Sequence, residues 1–392
     1  MPFKRPSRIV SDRRPPETGK AIDGARPMTY GSPIDMVETK DPSIFPPPLQ
    51  TRPRLLFAFP FDATFITTDL ELLRTFCNVS VLRFHKRSDY ARLLHEMRRT
   101  DVVYCWFALP FAAAAGCLAR SSGRLSVLAT GGWDVARLPA FGYGRPLTVR
   151  GAATARIALS MAHSVLAFSE SSADMIRGIA PRCAVRTAYL GVDHKQFYPK
   201  PKEDFVVTVA NISSENVIRK GLREFVVAAG EFPHIPFVVI GRHIDNAVDQ
   251  LRTVAPRNVS FAGWLASDEL RDMLSRAKVY VQASFTEGFG VALAEAMASG
   301  CVPVVTRRGA IPEVVGDAGV YVEYGEPQSL VAGIRSAFKE DLGGHARERI
   351  LNRFTLAHRL ATLREVILGS IGESHSDLEE DASAAHLSVE GT

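Results

Sequence analysis

Residues 279–305 of this chain read VYVQASFTEGFGVALAEAMASGCVPVV, a pattern that predicts a strand, a glycine-bearing turn, a helix and a second strand. The apolar run at 279–281 is typical of a buried parallel strand, and the apolar residues of 291–297 have helical spacing. Gly288 and Gly290 allow the backbone to turn and to approach a ligand closely. This layout directs the free N–H groups of a helix N-terminus toward whatever binds at the turn.

Two glutamates flank that helix N-terminus. Glu287 lies in the loop before the helix, whereas Glu295 lies eight residues later, about two turns into the helix at ~1.5 Å of rise per residue. The carboxylates suit sugar hydroxyls, and the helix amides with the helix dipole suit a phosphate. A ligand that carries both groups is a nucleotide-sugar.

This stretch resembles the E-x7-E segment of family 4 glycosyltransferases, which are retaining transferases of the GT-B fold. The resemblance implies that Glu287 meets the donor sugar, that Glu295 meets the ribose, and that the turn amides of Phe289, Gly290 and Val291 meet sugar and diphosphate. The alternative is a Rossmann-like strand, turn and helix with two incidental glutamates. The matching residues are Ser284, Glu287, the turn at 288–290, the run at 295–300 and the strand at 303–305.

Upstream of this stretch, the resemblance assigns cations to the donor diphosphate. Lys220 matches the family's lysine, but Asn211 stands where an arginine is usual. Arg219 either replaces that arginine from a lengthened loop or is an ordinary surface arginine. The segment at 263–265 corresponds to the family's base-binding edge, where the backbone at Leu265 reads the nucleobase.

A glycine loop in the first half of the chain is the expected acceptor side of the site. It follows the last of four strand-like runs, at 55–59, 80–84, 102–106 and 126–129, that alternate with helical patterns and so predict a parallel sheet. Ligands collect beyond the carboxyl ends of such strands. The loop contains Gly131, Gly132 and Asp134.

Within this loop, many family members have a histidine where this chain has Gly131, so that an imidazole contact is absent here. Asp134 is either a catalytic polar contact near the reacting centre or the cap of a following helix.

We therefore predict an α/β chain with the GT-B fold, two Rossmann-like domains separated by an interdomain cleft. The proline linker near residue 200 places the domain boundary. The predicted segments are a disordered proline-rich basic tail (1–52), an acceptor-side domain (53–202), a nucleotide-sugar-binding domain (203–352), a helix crossing back to the first domain (353–370) and a disordered acidic tail (371–392).

Composition narrows the range of partners. The formal net charge is +5, and residues 371–392 hold six acidic side chains and no Lys or Arg, so that residues 1–370 carry +11. A basic body suits nucleotide phosphates or peripheral contact with an anionic membrane, whereas motifs for nucleic acid are absent. The five scattered cysteines and the lack of a signal-peptide pattern predict a cytoplasmic protein, with its membrane contact at the inner face.

The predicted function is a retaining hexosyltransferase that moves a hexose from a nucleotide-diphospho-sugar to a hydroxyl acceptor on a glycan or lipid-linked precursor. No D-x-D pair occurs in the sequence, so we expect no metal and no cofactor. Lys220 and the helix amides would replace the metal. Two alternatives stay open: a GT-B sugar-nucleotide epimerase, and a non-catalytic nucleotide-sugar-binding module.

Overall fold

The computed structural model describes residues 52–369 and 371, which form two parallel sheets with helices packed on them. The tails predicted for 1–52 and 371–392 therefore lie almost entirely outside the described residues. The strand order is β2-β1-β3-β4-β5-β6 in the first sheet and β12-β11-β10-β7-β8-β9 in the second. The strands are β1 (Arg54–Phe59), β2 (Asn78–Arg83), β3 (Val102–Trp106), β4 (Leu125–Ala129), β5 (Ser164–Ala167), β6 (Val185–Thr187), β7 (Glu203–Val209), β8 (Phe237–Ile240), β9 (Val259–Gly263), β10 (Ala277–Gln282), β11 (Val302–Thr306) and β12 (Val320–Val322).

Helices connect successive strands, as the alternating sequence pattern predicts. They are α1 (Thr64–Arg74), α2 (Asp89–Met97), α3 (Pro110–Ser121), α4 (Val149–Met161), α5 (Glu170–Ile179), α6 (Ser214–Arg219), α7 (Leu222–Ala228), α8 (Ala247–Val254), α9 (Ser267–Arg276), α10 (Val291–Ala298), α11 (Ile311–Val315), α12 (Pro327–Lys339), α13 (Gly343–Arg353) and α14 (356–369). Among the described residues, no helix is long and apolar enough to cross a membrane.

The stretch at 279–305 forms β10, α10 and β11, as its pattern predicts. Strand β10 lies between β11 and β7 in the middle of the second sheet, which explains its unbroken apolar run. Its central residues Val279, Tyr280 and Val281 are buried. Because all strand pairs are parallel, the loops after β7 and β10 emerge at the same edge and bring residues near 220 and 287 together.

Strand β6 was not among the predicted strands. It has three residues, of which the central Arg186 is exposed, and so offers no apolar alternation to recognise. It adds to the edge of the first sheet beside β5.

Helix α14 packs against the first domain through a buried ion pair. Arg359 donates from Nε to Asp69 Oδ1 at 2.9 Å and from Nη2 to Asp69 Oδ2 at 2.7 Å, while Tyr104 donates to Asp69 Oδ2 at 2.8 Å. Burial alone would lower the pKa of Arg359, but the charge of Asp69 and the hydrogen bond to Tyr104 outweigh it and raise the pKa above its ordinary value. Helix α14 is thereby attached to the first domain.

Candidate active site

A buried lysine and glutamate pair lies where the two sheets face each other. Lys220 Nζ is 2.5 Å from Glu287 Oε1, and the two side chains are 17% and 10% exposed. Lys220 follows α6, and the next residue, Gly221, has a φ of 64°. A Cβ at Gly221 would lie 2.3 Å from the carbonyl oxygen of Ala283, so only glycine allows this loop to approach the end of β10.

The Glu287 carboxylate has one occupied and one free oxygen. Besides Lys220, Gln282 Nε2 donates to Oε1 at 2.8 Å and Ser284 Oγ at 2.7 Å. No described residue donates to Oε2. Burial would raise the pKa of Glu287, but Lys220, Ser284 and the positive charge of Arg219 outweigh it and hold the pKa below its ordinary value. The site therefore presents an ionised carboxylate with one oxygen available to a ligand.

The glycine loops of the two domains meet beside this pair. A Cβ built on Gly288 would lie 3.7 Å from Gly131 O and 3.8 Å from Gly132 Cα, which is ordinary van der Waals contact. Ser172 Oγ also donates to Gly288 O at 3.3 Å. The cavity left between the loops has a volume of about 30 Å³, roughly that of one water molecule. Its lining consists of Gly132, Ala136, Tyr143, Met175, Arg219, Thr286, Glu287 and Gly288.

The residue at 131 has no room for a side chain. A Cβ there would lie 1.9 Å from Cε1 of Phe107, a residue whose own φ of 73° is unusual for anything but glycine. The ring of Phe107 thus occupies the space into which a histidine at 131 would project. The absent imidazole is a consequence of this packing.

The carboxylate of Asp134 lies inside the glycine loop rather than in the cleft. It accepts hydrogen bonds from the backbone N–H of Ala108 at 2.7 Å and of Gly131 at 2.9 Å, and it is fully buried. Burial raises its pKa to about 6, although these backbone hydrogen bonds oppose the rise. Residues 132–135 form a turn and not a helix, so Asp134 caps a turn and positions the loop. The interpretation as a catalytic contact is not supported by this placement.

Arg219 is not a surface arginine. It is only 7% exposed, its Nε donates to Glu215 at 2.8 Å, and its guanidinium carbon lies 4.1 Å from the ring centroid of Tyr143 in the first domain. It lines the same small cavity as Glu287. The site therefore has a second cation, which the sequence could not separate from a surface residue.

Asn211, predicted to bind the donor, braces a neighbouring loop. Its Oδ1 accepts from the backbone N–H of Arg242 at 3.1 Å, and its carbonyl oxygen accepts from Asn216 Nδ2 at 2.9 Å. Leu265 packs at the edge of the core, next to the exposed Trp264. Neither Asn211 nor Leu265 lines the cavity beside Glu287.

At the turn itself, only the backbone of Phe289 is placed to meet a ligand. The ring is buried, and its centroid lies 5.6 Å from that of Phe354 and 6.4 Å from that of Tyr189. Gly290, with a φ of 89°, precedes α10, which begins at Val291. The ring therefore anchors the turn to the core.

The carboxyl group of Glu295 lies on α10 behind the turn. Burial raises its pKa to about 8, and the positive charge of Arg271 opposes this rise only in part. The pKa of Glu295 is therefore shifted upward in this ligand-free state, whereas that of Glu287 is shifted downward. The two shifts have opposite directions because only Glu287 has a lysine partner.

Replacing Glu295 with glutamine should stabilise the protein at high pH. In the unfolded chain this carboxyl titrates near 4.5, whereas in the folded protein its pKa is about 8. Between these values the folded state binds a proton that the unfolded state releases, so the free energy of unfolding falls as pH rises. We expect the free energy of unfolding of Glu295→Gln to equal that of wild type near pH 4. At pH 8.5 it should be higher than that of wild type by roughly 1.4 kcal/mol or more, which corresponds to one pKa unit.

Urea unfolding midpoints at the two pH values measure this effect. The exposed Glu323→Gln serves as the matched control and should show no such pH dependence. An equal difference between Glu295→Gln and wild type at both pH values would contradict the assignment.

Glu313, in the first turn of α11, joins the two domains. Its carboxylate accepts from the backbone N–H of Glu170 at 2.7 Å and of Ser171 at 3.0 Å, at the N-terminus of α5. Tyr189 also donates to it at 2.9 Å. The contact adds a carboxylate to a helix N-terminus of the other domain, which is favourable for the helix dipole. No sequence signal pairs residues 143 positions apart.

Comparison with known proteins finds similarity mainly in the second domain. Residues 204–340 match the family model described as Glycosyl transferases group 1. A phosphatidylinositol N-acetylglucosaminyltransferase subunit from Arabidopsis thaliana is 29% identical over 156 residues, 37% of this chain and 34% of the relative. Alpha-maltose-1-phosphate synthase of Mycolicibacterium smegmatis is 26% identical over 240 residues, 52% of this chain and 62% of the relative. The matched regions thus cover between about a third and somewhat less than two thirds of the length of these curated relatives.

Solved structures match over more of the chain. Sucrose-phosphate synthase from Thermosynechococcus elongatus superposes with a TM-score of 0.67 at 14% identity, covering 82% of this chain and all of that one. The Alr3699/HepE protein of Anabaena, solved in complex with UDP and glucose, gives 0.66 at 16% identity, covering 81% of this chain and all of that one. At such identities the likeness concerns the fold, and it confirms the predicted GT-B architecture.

Proposed function

We propose that this chain, whose residues 204–340 match the model of the glycosyl transferases group 1 family and whose two sheets form a GT-B fold, is a retaining hexosyltransferase. It moves a hexose from a nucleotide-diphospho-sugar to a hydroxyl group of a glycan or lipid-linked acceptor. The observation that carries the proposal is the pair of Lys220 and Glu287 in front of α10, with Glu287 Oε2 left without a donor.

Lys220 and Arg219 supply the charge that the leaving group needs. Cleavage of the bond between sugar and phosphate leaves negative charge on the nucleoside diphosphate, and preorganised cations and amides stabilise that charge. In the ligand-free state the charge of Lys220 is balanced by Glu287. A bound diphosphate would share this lysine, and the amides at the start of α10 would complete its coordination without a metal.

Glu287 orients the sugar and favours positive charge at the reacting carbon. Three hydrogen bonds to Oε1 fix the orientation of its ionised carboxylate, and they thereby fix the direction of Oε2. The acceptor hydroxyl attacks on the face from which the phosphate departs, and the departing phosphate oxygen takes its proton. The sugar thereby keeps its anomeric configuration without a covalent intermediate.

The cleft opens to admit the donor. A cavity of about 30 Å³ cannot hold a nucleotide-sugar, and small-molecule sites have volumes of roughly 300–1,000 Å³. The contacts across the cleft are between side chains and loops rather than between sheets, and they include Arg219 with Tyr143, and Phe285 with Phe141 at 4.6 Å between centroids. Such closure excludes water from the reacting sugar.

We also place the protein in the cytoplasm, at the inner face of an anionic membrane. All five cysteines are free, which suits a reducing compartment. Residues 54–200 hold 19 Lys and Arg against 10 Asp and Glu, which suits a negatively charged surface.

The function is tested by incubating the full chain with a panel of nucleotide-diphospho-sugars and an extract of acceptors, with and without EDTA. We expect one donor to release its nucleoside diphosphate in an acceptor-dependent manner, with the anomeric configuration retained by NMR and the rate unchanged by EDTA. A new sugar stereoisomer formed without acceptor would favour the epimerase. Donor binding without any turnover would favour the non-catalytic module.

Substituting Lys220 with methionine should weaken binding of the nucleoside diphosphate by about tenfold to a hundredfold. A hydrogen bond between charged groups contributes ~1.5–3 kcal/mol, and Glu287 without its lysine would repel the diphosphate as well. Isothermal titration calorimetry measures the change. The exposed Lys195→Met is the matched control, with affinity within about twofold of wild type. Equal affinity of Lys220→Met and the control would remove Lys220 from the site.

A further inference from the structure

A second cavity lies in the first domain, at the edge of the sheet where β1, β2 and β3 end. We call it the first-domain groove, and its volume is about 410 Å³, within the range of small-molecule sites. In open parallel sheets, ligands bind beyond the carboxyl ends of the strands. The groove is lined by Pro60, Phe84, His85, Lys86, Arg87, Tyr90, Leu109, Pro110, Phe111 and Arg145.

The groove carries three permanent positive charges and no negative one. Lys86, Arg87 and Arg145 line it, and no ion pair found among the described residues includes any of the three. The carboxylate of Asp89 is buried, accepts hydrogen bonds from the backbone N–H groups of residues 85 and 86 at 2.8 and 2.9 Å, and interacts with the charge of Lys86. Asp89 therefore offsets part of the charge of Lys86, whereas no described carboxylate forms an ion pair with Arg87 or Arg145.

One of these cations has an unsatisfied polar atom. The Nε of Arg145 is buried and has no hydrogen-bond partner among the described residues. A buried donor without a partner is unfavourable in the ligand-free protein. Guanidinium groups are suited to phosphate because their N–H donors match its oxygens in pairs.

The floor of the groove is apolar and aromatic. The rings of Phe84 and Phe111 stack with centroids 4.4 Å apart, and Tyr90 lies edge-on to Phe84 at 5.5 Å. Leu109 and Pro110 complete this surface. A ligand that fits has a C–H-rich face as well as an anionic group, as a phosphorylated sugar or a phospholipid headgroup has.

One loop lines both the first-domain groove and the small cavity beside Glu287, which we call the catalytic cavity. Tyr143 lines the catalytic cavity, and Arg145, two residues later, lines the groove. The backbone N–H of Arg145 donates to Trp133 O at 2.9 Å. Gly144 between them has a φ of 116°, and a Cβ there would lie 1.9 Å from Ala136 O, so this loop is fixed against the glycine loop. Neighbouring residues of one loop therefore line the groove and the cavity that contains Glu287.

The charge of the whole chain agrees with this placement. Residues 54–200 contain 19 Lys and Arg and 10 Asp and Glu, whereas residues 203–369 contain 18 and 20. The excess positive charge of the described domains therefore belongs to the first one. It would attract an anionic molecule to the acceptor side rather than to the donor side.

We propose that the first-domain groove binds the phosphoryl group of the acceptor through Lys86, Arg87 and Arg145. This inference rests on the proposed function, since it assigns a chemical class to the acceptor of that transfer. The groove selects acceptors that carry a phosphate over neutral ones, and the aromatic floor receives the adjoining carbon skeleton.

Binding to the full chain at fixed salt tests the inference. Calorimetry compares glucose 6-phosphate with glucose, and cosedimentation compares vesicles of phosphatidylcholine with and without phosphatidylglycerol. We expect wild type to prefer a phosphate-bearing probe, and Lys86→Ala/Arg87→Ala/Arg145→Gln to lose about tenfold or more of that affinity. Arg156→Ala, an exposed cation of the same domain outside the groove, should stay within about twofold. If the triple variant fails to fold, the double variant Lys86→Ala/Arg87→Ala replaces it in the same assay, because both of these side chains are exposed.

The outcomes separate the two sources of phosphate and the two proposals. Preference for glucose 6-phosphate identifies a soluble phosphomonoester, and preference for anionic vesicles identifies a lipid headgroup. No preference for either probe, or equal losses in the groove variants and Arg156→Ala, overturns the inference. The shift in melting temperature caused by nucleoside diphosphates is measured in parallel. A shift in wild type supports the proposed function even if the groove binds no phosphate. If wild type shows no shift, both the proposed function and the inference about the groove are contradicted.

Discussion

Replacing Glu287 with glutamine lowers the single-turnover transfer rate by about 10²- to 10³-fold, while affinity for the nucleoside diphosphate changes by less than about threefold. The glutamine oxygen can still accept from Lys220, Gln282 and Ser284 in the place of Oε1. Its NH₂ group then takes the place of Oε2 and presents a donor where the sugar meets an acceptor. The negative charge that favours the transition state is also lost, so the effect falls on turnover.

Rapid-quench kinetics with the donor found in the panel measure this rate, and calorimetry measures the affinity. Glu326→Gln, an exposed glutamate of the same domain, is the control and should turn over at the wild-type rate. A Glu287→Gln enzyme with an unchanged single-turnover rate would falsify the role assigned to this carboxylate. A variant that lost affinity in proportion to rate would instead mark Glu287 as a residue of ground-state binding.

Removing the carboxylate of Asp69 should destabilise the chain by about 3–5 kcal/mol. Asp69 and Arg359 are each 1% exposed in their side chains, and both guanidinium contacts are at 2.9 Å or less. Asp69→Ala leaves the arginine charge buried without its partner and loses the anchor between α14 and the first sheet. The urea midpoint of unfolding measures the loss.

The surface pair of Asp174 and Arg177 provides the matched control. It has a similar N to O distance of 2.7 Å, but its side chains are 75% and 46% exposed, so Asp174→Ala should cost at most about 1 kcal/mol. A double variant Asp69→Leu/Arg359→Met should regain much of the loss, because apolar residues replace a buried pair without stranding a charge. Equal midpoints for Asp69→Ala and Asp174→Ala would show that the buried pair contributes no more than a surface one.

The features that could be predicted from the sequence are those that depend on short segments of the chain. Apolar runs marked strands such as β10, and the spacing from 291 to 297 marked α10, because burial on one or both faces repeats with the period of the element. Strand β6 could not be predicted in this way, because its three residues, with an exposed arginine at the centre, show no apolar periodicity.

The interdomain contacts were beyond such reasoning. Glu313 and the N-terminus of α5 are 143 positions apart, and Arg219 meets Tyr143 across the cleft. Each of these side chains has an ordinary local explanation, a helix start or a surface arginine. Contacts of this kind depend on how two complete sheets pack, which no short window of sequence contains.

The sequence by itself determined the alternating strands and helices and the glycine turn at 288–290, because periodicity and backbone conformation are local features. Lys220 and Glu287 were assigned through their resemblance to a family pattern, and the parallel strands bring them to one edge. Only the tertiary structure decided the role of each charged side chain: Asp134 accepts hydrogen bonds from backbone amides, burial raises the pKa of Glu295, and Arg219 lines the cavity. The physical reason is that desolvation and ion pairing, which set the ionisation of a side chain, depend on neighbours far away in the chain.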